Sequence, residues 1–243
     1  MILHTEITGD GEPLVFLHTG LQTGKTELSL QKNYFKDHYQ VILPDLRGHG
    51  KSVSEDYTDY FHKTASDLAE TLHDLEIEAA HIVGCSIGAL VGLVFAKKYP
   101  KRVKTLTLSG IIPEKPNNYE EMTKEEMKNT KGLLENTEAV AYFDSIHEGN
   151  WKKLMKVTQK EEWYPFEETK DLSMLDMPIL YIVGEKNKHE VLGTISYPEQ
   201  NKAIHVSTIP FAGHTVHLEQ PDIYNKIVEK FLIQSTEKVS NEK

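Results

Sequence analysis

Residues 84 to 88 read Gly-Cys-Ser-Ile-Gly, with the apolar run His81-Ile82-Val83 before them and a mostly apolar stretch from Ile87 to Tyr99 behind them. A strand that turns directly into a helix brings two backbone segments so close together that a Cβ two residues either side of the apex would strike its neighbours. Near-hydrogen side chains are needed at both places. Gly84 and Gly88 meet that need, and Ser86 stands at the apex. The turn lifts Ser86 Oγ to the top of a sheet and over the first turn of a helix, whose unpaired N–H groups favour developing negative charge. One pentapeptide thus specifies a strand, a sharp turn and a helix, and makes Ser86 the first candidate for chemistry.

The rest of the chain fits that unit. Apolar runs suited to strands recur at residues 2–8, 14–18, 40–43, 80–84, 104–109, 179–183 and 203–209, with helical stretches between most of them. Phe61, Ala65, Leu68, Ala69, Leu72 and Leu75 repeat at three- and four-residue spacing, and the helix over 87–99 is stopped by Pro100. Such alternation predicts an α/β fold with a mainly parallel sheet. The unbroken hydrophobicity of Leu14-Val-Phe-Leu and Ile179-Leu-Tyr-Ile-Val predicts strands covered by helices on both faces. Gly9-Asp10-Gly11 marks a turn between the first two strands, and a last helix over 221–233 carries Ile223, Ile227, Val228 and Phe231 on one side. The polar end, Gln234 to Lys243, is expected to fray.

Residues 111–177 interrupt the alternation with Glu/Lys-rich helical segments such as Tyr119 to Leu134 and an aromatic group that includes Trp151, Trp163, Tyr164 and Phe166. The expected organisation is a core made of 1–110 and 178–243 with a small helical lid, 111–177, inserted into it. The charges of the insertion read as a solvated helix surface. Its aromatics either pin the lid to the core or form a wall facing substrate.

Composition excludes several alternatives. A formal charge of −10 without a Lys/Arg cluster opposes binding to nucleic acid or to anionic membranes. No segment reaches eighteen consecutive apolar residues, and the first residues lack the basic and apolar regions of a leader, so neither a membrane span nor a signal peptide is expected. The single cysteine, Cys85, excludes an intramolecular disulfide and suits a reducing compartment, with the cytoplasm the expected location. A buried thiol serving as a small hydrophobe is its expected role. A monomer and a homodimer are both compatible with the chain.

A serine hydroxyl needs a base to take its proton. Among the 12 histidines, His214 stands out because Ala212-Gly213-His214 follows the last strand and precedes the final helix. That places it at the carboxyl ends of the strands, where catalytic groups of open α/β sheets gather. His217 is read as support for the same loop, and His18 and His49 as structural groups on earlier loops. The spacing His214-Thr-Val-His217 lacks the further ligands a zinc site requires, so no metal is expected, and no cofactor.

Five segments in order carry a resemblance. They are Gly-Asp-Gly-Glu-Pro-Leu-Val-Phe-Leu-His at 9–18, Asp-Leu-Arg-Gly-His-Gly-Lys-Ser at 45–52, the pentapeptide at 84–88, Val-Gly-Glu-Lys at 183–186, and Ala-Gly-His-Thr-Val-His-Leu-Glu-Gln-Pro at 212–221. With them the chain resembles the α/β-hydrolase superfamily, in the arm of small esterases, lactonases and carbon–carbon bond hydrolases. The resemblance implies the α/β-hydrolase fold, with Ser86 as nucleophile and His214 as its base. It also implies an oxyanion hole made by the Ile87 N–H and a backbone N–H just after His18. It casts residues 45–52, Arg47 and His49 included, as a loop-shaping element.

Two positions depart from the family. Where it usually has glycine after its histidine, this chain has Thr19-Gly20-Leu21, so the second oxyanion donor is Gly20 or Leu21, with Gly20 preferred. Where the triad's aspartate is expected, three residues past Gly184, the chain has Asn187. An Asn oxygen can accept the histidine Nδ1–H but brings no charge to steady the imidazolium, and the corresponding Asp-to-Asn change in the serine-protease template costs about 10⁴ in turnover. Glu190 offers a carboxylate if the loop bends back. The expectation is a serine hydrolase acting on an ester, thioester or lactone of a small, partly apolar substrate through an acyl-Ser86 intermediate. Two other functions fit the same fold: a ligand-binding or signalling protein with weak turnover, and a cofactor-free lyase that uses His214 as a base.

Overall fold

The computed structural model describes residues 1–160 and 162–241. Among them, seven strands form one sheet: β1 (Thr5–Thr8), β2 (Glu12–Leu17), β3 (Tyr39–Pro44), β4 (Ala80–Cys85), β5 (Val103–Ser109), β6 (Ile179–Gly184) and β7 (Ile204–Ile209). Their order across the sheet is β1-β3-β2-β4-β5-β6-β7. Only β1 runs antiparallel to its neighbour; the other pairings are parallel. Between β2 and β3 lie α1 (Gly24–Glu27) and α2 (Ser29–Phe35), while α3 (Tyr60–Asp74) and α4 (Ile87–Lys98) flank β4. Four helices separate β5 from β6: α5 (Tyr119–Glu135), α6 (Thr137–Ile146), α7 (Trp151–Thr158) and α8 (Phe166–Thr169). After β6 come α9 (Lys188–Val191) and α10 (Gly193–Gln200), and after β7 come α11 (Val216–Glu219) and α12 (Pro221–Asn241).

The pleat of each central strand sends alternate side chains to opposite faces, and both faces are covered. On one face Val15, Leu17, Ile82, Leu106 and Tyr181 join a core closed by α3 and α4. On the other, Leu14, Phe16, Val83, Leu180 and Ile182 meet side chains of α2 and α12. Residues 87–96 of α4 are all buried, as expected of a helix that is apolar all round. A smaller cluster within 111–177 is built on Phe143, Trp151 and Met155.

Two expectations at the chain ends are corrected. The first strand begins at Thr5 rather than residue 2, because Leu3 N donates to Thr71 Oγ1 at 2.8 Å, tying this stretch to α3 instead of to β3. The last helix ends at Asn241 rather than at residue 233; residues 242–243 of the expected tail lie outside the described residues. Parallel pairing with Leu17 opposite Gly84, Cys85 opposite Ser109 and Gly184 opposite Ile209 brings the loops after these five strands to one end of the sheet. The site is built from those loops.

Candidate active site

Ser86 has φ 54° and ψ −122°, a backbone state that costs a non-glycine residue on the order of 1–3 kcal/mol. Its neighbours hold it there: Ser86 N donates to Ser109 O at 2.9 Å, and Leu90 N donates to Ser86 O at 3.0 Å. A Cβ on Gly84 would lie 2.5 Å from Gly88 O, and one on Gly88 2.2 Å from Leu17 O, so the glycine spacing read from the sequence has a direct steric cause. Gly110 performs a similar service from β5. With φ +67°, it would place a Cβ 2.9 Å from Ser86 N and 3.0 Å from His214 Cε1, so its bare Cα lets serine and imidazole close on one point. Ser86 Oγ makes no hydrogen bond among the described residues and faces the cleft.

His214 lies on the loop between β7 and α11. Its Nδ1 is 2.6 Å from Glu190 Oε1, so the expected partner, Asn187, is corrected to Glu190. The physical reason lies in α9. Asn187 caps that single turn, its Oδ1 accepting from Glu190 N at 3.4 Å, which swings Glu190 back beneath the ring. Asn187 touches the acid instead of the base: its Nδ2 donates to Glu190 Oε1 at 2.5 Å. The Glu190 side chain is 2% exposed, whereas 46% of the His214 side chain opens onto the cleft. Burial pushes the Glu190 carboxyl upward, and its bond to His214 pulls back only in part. Burial of His214 opposes its charge, but the hydrogen bond and negative field of Glu190 outweigh it and raise the imidazole to about 9. With Nδ1–H donated to Glu190, Nε2 is left to accept a proton from the cleft side.

The departure at Thr19 also has a structural explanation. Glu27, buried on α1, accepts from Thr19 N at 2.6 Å and from Thr19 Oγ1 at 2.7 Å. Thr19 N–H is therefore committed to the scaffold, and the next amides, Gly20 and Leu21, have no backbone partner among the described residues. The same carboxylate forms an ion pair with His217 Nε2 at 3.2 Å, off the hydrogen-bond axis, with both side chains buried. His217 thus supports the site from behind. Burial disfavours its charge, but Glu27 and Cys85 more than compensate and take it to about 10.

Leu21 has φ 63°, and its carbonyl accepts from His147 Nε2 at 3.0 Å. His147 Nδ1 in turn accepts from Gly50 N at 2.7 Å, so one imidazole after α6 spans two core loops. Arg47 makes a two-point contact with Asp67 at 2.7 and 3.0 Å, and Asp45 accepts from the amides of Gly24 and Lys51, which accounts for residues 45–52 as a shaped loop. His18 is fully buried: Nδ1 donates to Thr19 O at 2.7 Å, and Nε2 accepts from Leu46 N at 2.9 Å. His49 is more than structural filling, because it lines the cleft beside Ser86; burial, then the neighbouring His18 and His147, hold it well below the usual histidine range.

Two cavities of about 290 and 340 Å³ meet at a common wall of Ser86, Ile87, Glu126, Thr158, Trp163 and His214. The aromatics divide between the two expected roles. Trp151 packs the insertion on itself, buried against Phe143 with Nε1 donating to Asp144 at 2.8 Å. Trp163 packs on Tyr60 and Phe61 and also lines both cavities, and Tyr164 lines one while Ile112 N donates to its hydroxyl at 2.6 Å. Glu27, Glu126, Glu190 and His147 contribute most of what sequence reasoning did not assign. Only Glu190 had a signal, its closeness to the missing acid.

Among the described residues no group of three or more His, Cys, Asp or Glu is arranged to hold a metal ion, and no helix is long and apolar enough to cross a membrane. A family model described as the alpha/beta hydrolase fold matches residues 12–143, more than half of the chain. The chain belongs to the α/β-hydrolase fold family. It is 25% identical to serine hydrolase BPHL of Homo sapiens, over 95% of this chain and 82% of that protein. It is 26% identical to a putative 2-succinyl-6-hydroxy-2,4-cyclohexadiene-1-carboxylate synthase of Bacillus subtilis, over 91% of this chain and 90% of that one. The solved structure of Est816, an N-acyl homoserine lactone degrading enzyme, superposes with a TM-score of 0.76 at 22% identity, covering 94% of this chain and 96% of that one.

Proposed function

We propose that this chain is a serine hydrolase that cleaves an ester, thioester or lactone of a small, partly apolar molecule. The observation that carries the reading is the 2.6 Å contact of Glu190 with His214 behind a serine held at a strand-to-helix apex. Ser86 Oγ attacks the carbonyl carbon while its proton passes to His214 Nε2. The carbonyl oxygen takes up negative charge and accepts from the N–H groups of Ile87 and Gly20, each such donor being worth roughly 2.7–4 kcal/mol in a comparable site. Glu190 holds the ring in the Nδ1–H form and steadies the imidazolium. Collapse breaks the bond to the leaving oxygen or sulfur, which takes the proton from Nε2 and leaves acyl-Ser86. Water then gives its proton to Nε2 and its oxygen to the acyl carbon, and Ser86 Oγ departs with the proton as the acid is released. Residues 111–177 act as a lid, and the two cavities receive the two sides of the scissile bond.

A buried carboxylate on the imidazole removes the motive for a turnover-free binding protein, which rested on Asn187. The lyase reading, in which His214 works as a base and no acyl-Ser86 forms, is separated by the same experiment. The test is hydrolysis of short p-nitrophenyl esters with mass spectrometry of the quenched enzyme. The expected results are an acyl adduct on Ser86, labelling of Ser86 by a fluorophosphonate, and a loss of at least about 10³ in kcat for Ser86→Ala. Turnover by Ser86→Ala at the wild-type rate would overturn the proposal.

A further inference from the structure

The helix α5 presents one stripe to the cleft. Tyr119, Met122, Thr123, Glu126 and Thr130 all line one or both cavities, and at positions i, i+3, i+4, i+7 and i+11 they share one face of a helix. Glu126 is at the middle of that stripe and lines both cavities together with Ser86 and His214. Its position deprives it of local partners. Residues three and four away on either side are Met122, Thr123, Asn129 and Thr130, none of them cationic. On the outer face, by contrast, Glu120 pairs with Lys124 at 2.7 Å. Among the described residues Glu126 has neither an ion pair nor a hydrogen bond.

The charge balance of the cleft points the same way. Among the described residues, no lysine or arginine lines either cavity. The other carboxylate there, Glu190, is occupied by His214 and Asn187. Glu126 is exposed where it borders the cavities, and partial burial against their walls moves its carboxyl above the usual range, with His214 pulling the other way. A carboxylate in this state gains from a cation brought beside it, and Trp163, which lines both cavities, adds a ring face that also attracts cations.

We infer that the cleft is built for an ester or thioester bearing an ammonium group, which Glu126 receives while the carbonyl lies at Ser86. This rests on the hydrolase reading above and deepens it by naming a substrate class. Anionic substrates are disfavoured, since Glu126 repels their charge and His214, the one cationic group of the cleft among the described residues, is held by Glu190.

The test uses a nearly isosteric pair, S-acetylthiocholine and S-(3,3-dimethylbutyl) thioacetate, with kcat/KM measured for wild type and Glu126→Gln by thiol release. Glu126 also faces His214, so its replacement moves both rates, and the ratio isolates the cation. The wild type is expected to favour the ammonium ester by about tenfold, with the ratio falling to about one in E126Q. A ratio that is the same in both proteins overturns the inference. The hydrolase reading fails separately, by absence of turnover of either ester or by undiminished turnover in Ser86→Ala. In that event calorimetric titration of choline against 3,3-dimethylbutanol decides the cation site alone: choline binding more tightly to wild type than to E126Q supports it, and equal binding rejects it.

Discussion

Replacing Glu190 by Gln removes one charge and leaves the side-chain length intact. The carboxylate oxygen is 2.6 Å from His214 Nδ1 and its side chain is 2% exposed, so water does little to screen the pair. With the ring's positive charge about 4 Å away and an effective dielectric near 20, the lost attraction is about 4 kcal/mol. At 1.36 kcal/mol per decade this amounts to about a 10³-fold drop in kcat, close to the roughly 10⁴ of the serine-protease template. The assay is kcat for p-nitrophenyl acetate, with circular dichroism and a melting curve to verify folding. Asn187→Ala is the companion variant. It touches Glu190 and not the ring, so its loss should remain within about tenfold. Retention of more than about a tenth of wild-type kcat by E190Q, or a greater loss in N187A than in E190Q, refutes the assignment of the acid.

The remaining predictions concern protonation and the scaffold. Because Glu190 raises the His214 pKa to about 9 and only the neutral ring accepts a proton, kcat/KM should climb with pH through the alkaline range; a pH–rate profile that is flat above pH 7 contradicts this. Glu27→Gln leaves the buried His217 without its counter-charge and loosens Thr19, so unfolding in urea should show a loss of about 3–5 kcal/mol together with lower kcat. A variant within about 1 kcal/mol of wild type excludes that role for Glu27.

The sheet was legible because its central strands are buried on both faces, which leaves runs such as Ile179 to Val183 with no polar interruption. The apex at Ser86 was legible because steric crowding is local and only glycine relieves it. The position of His214 followed from chain order, a loop after the last strand. Glu190 was harder, because three residues within Glu185 to Glu190 determine whether a loop continues or coils into α9, and that choice decides which side chain arrives under the imidazole. Glu27 and His147 are beyond local reading. They act on Thr19 and Leu21 across 8 and 126 positions, and no periodicity records such contacts. Glu126 looked like one more solvated glutamate in an acidic helix until the cleft defined which face of α5 looks inward.

His147 belongs to the inserted helices, yet it grips the carbonyl of Leu21 and the amide of Gly50. If the proposed lid lifts to admit a molecule, that grip is released and the peptide beside Gly20 loses its brace. On the proposed function, one imidazole would thus tie the cover of the cleft to the amide that is offered to the oxyanion.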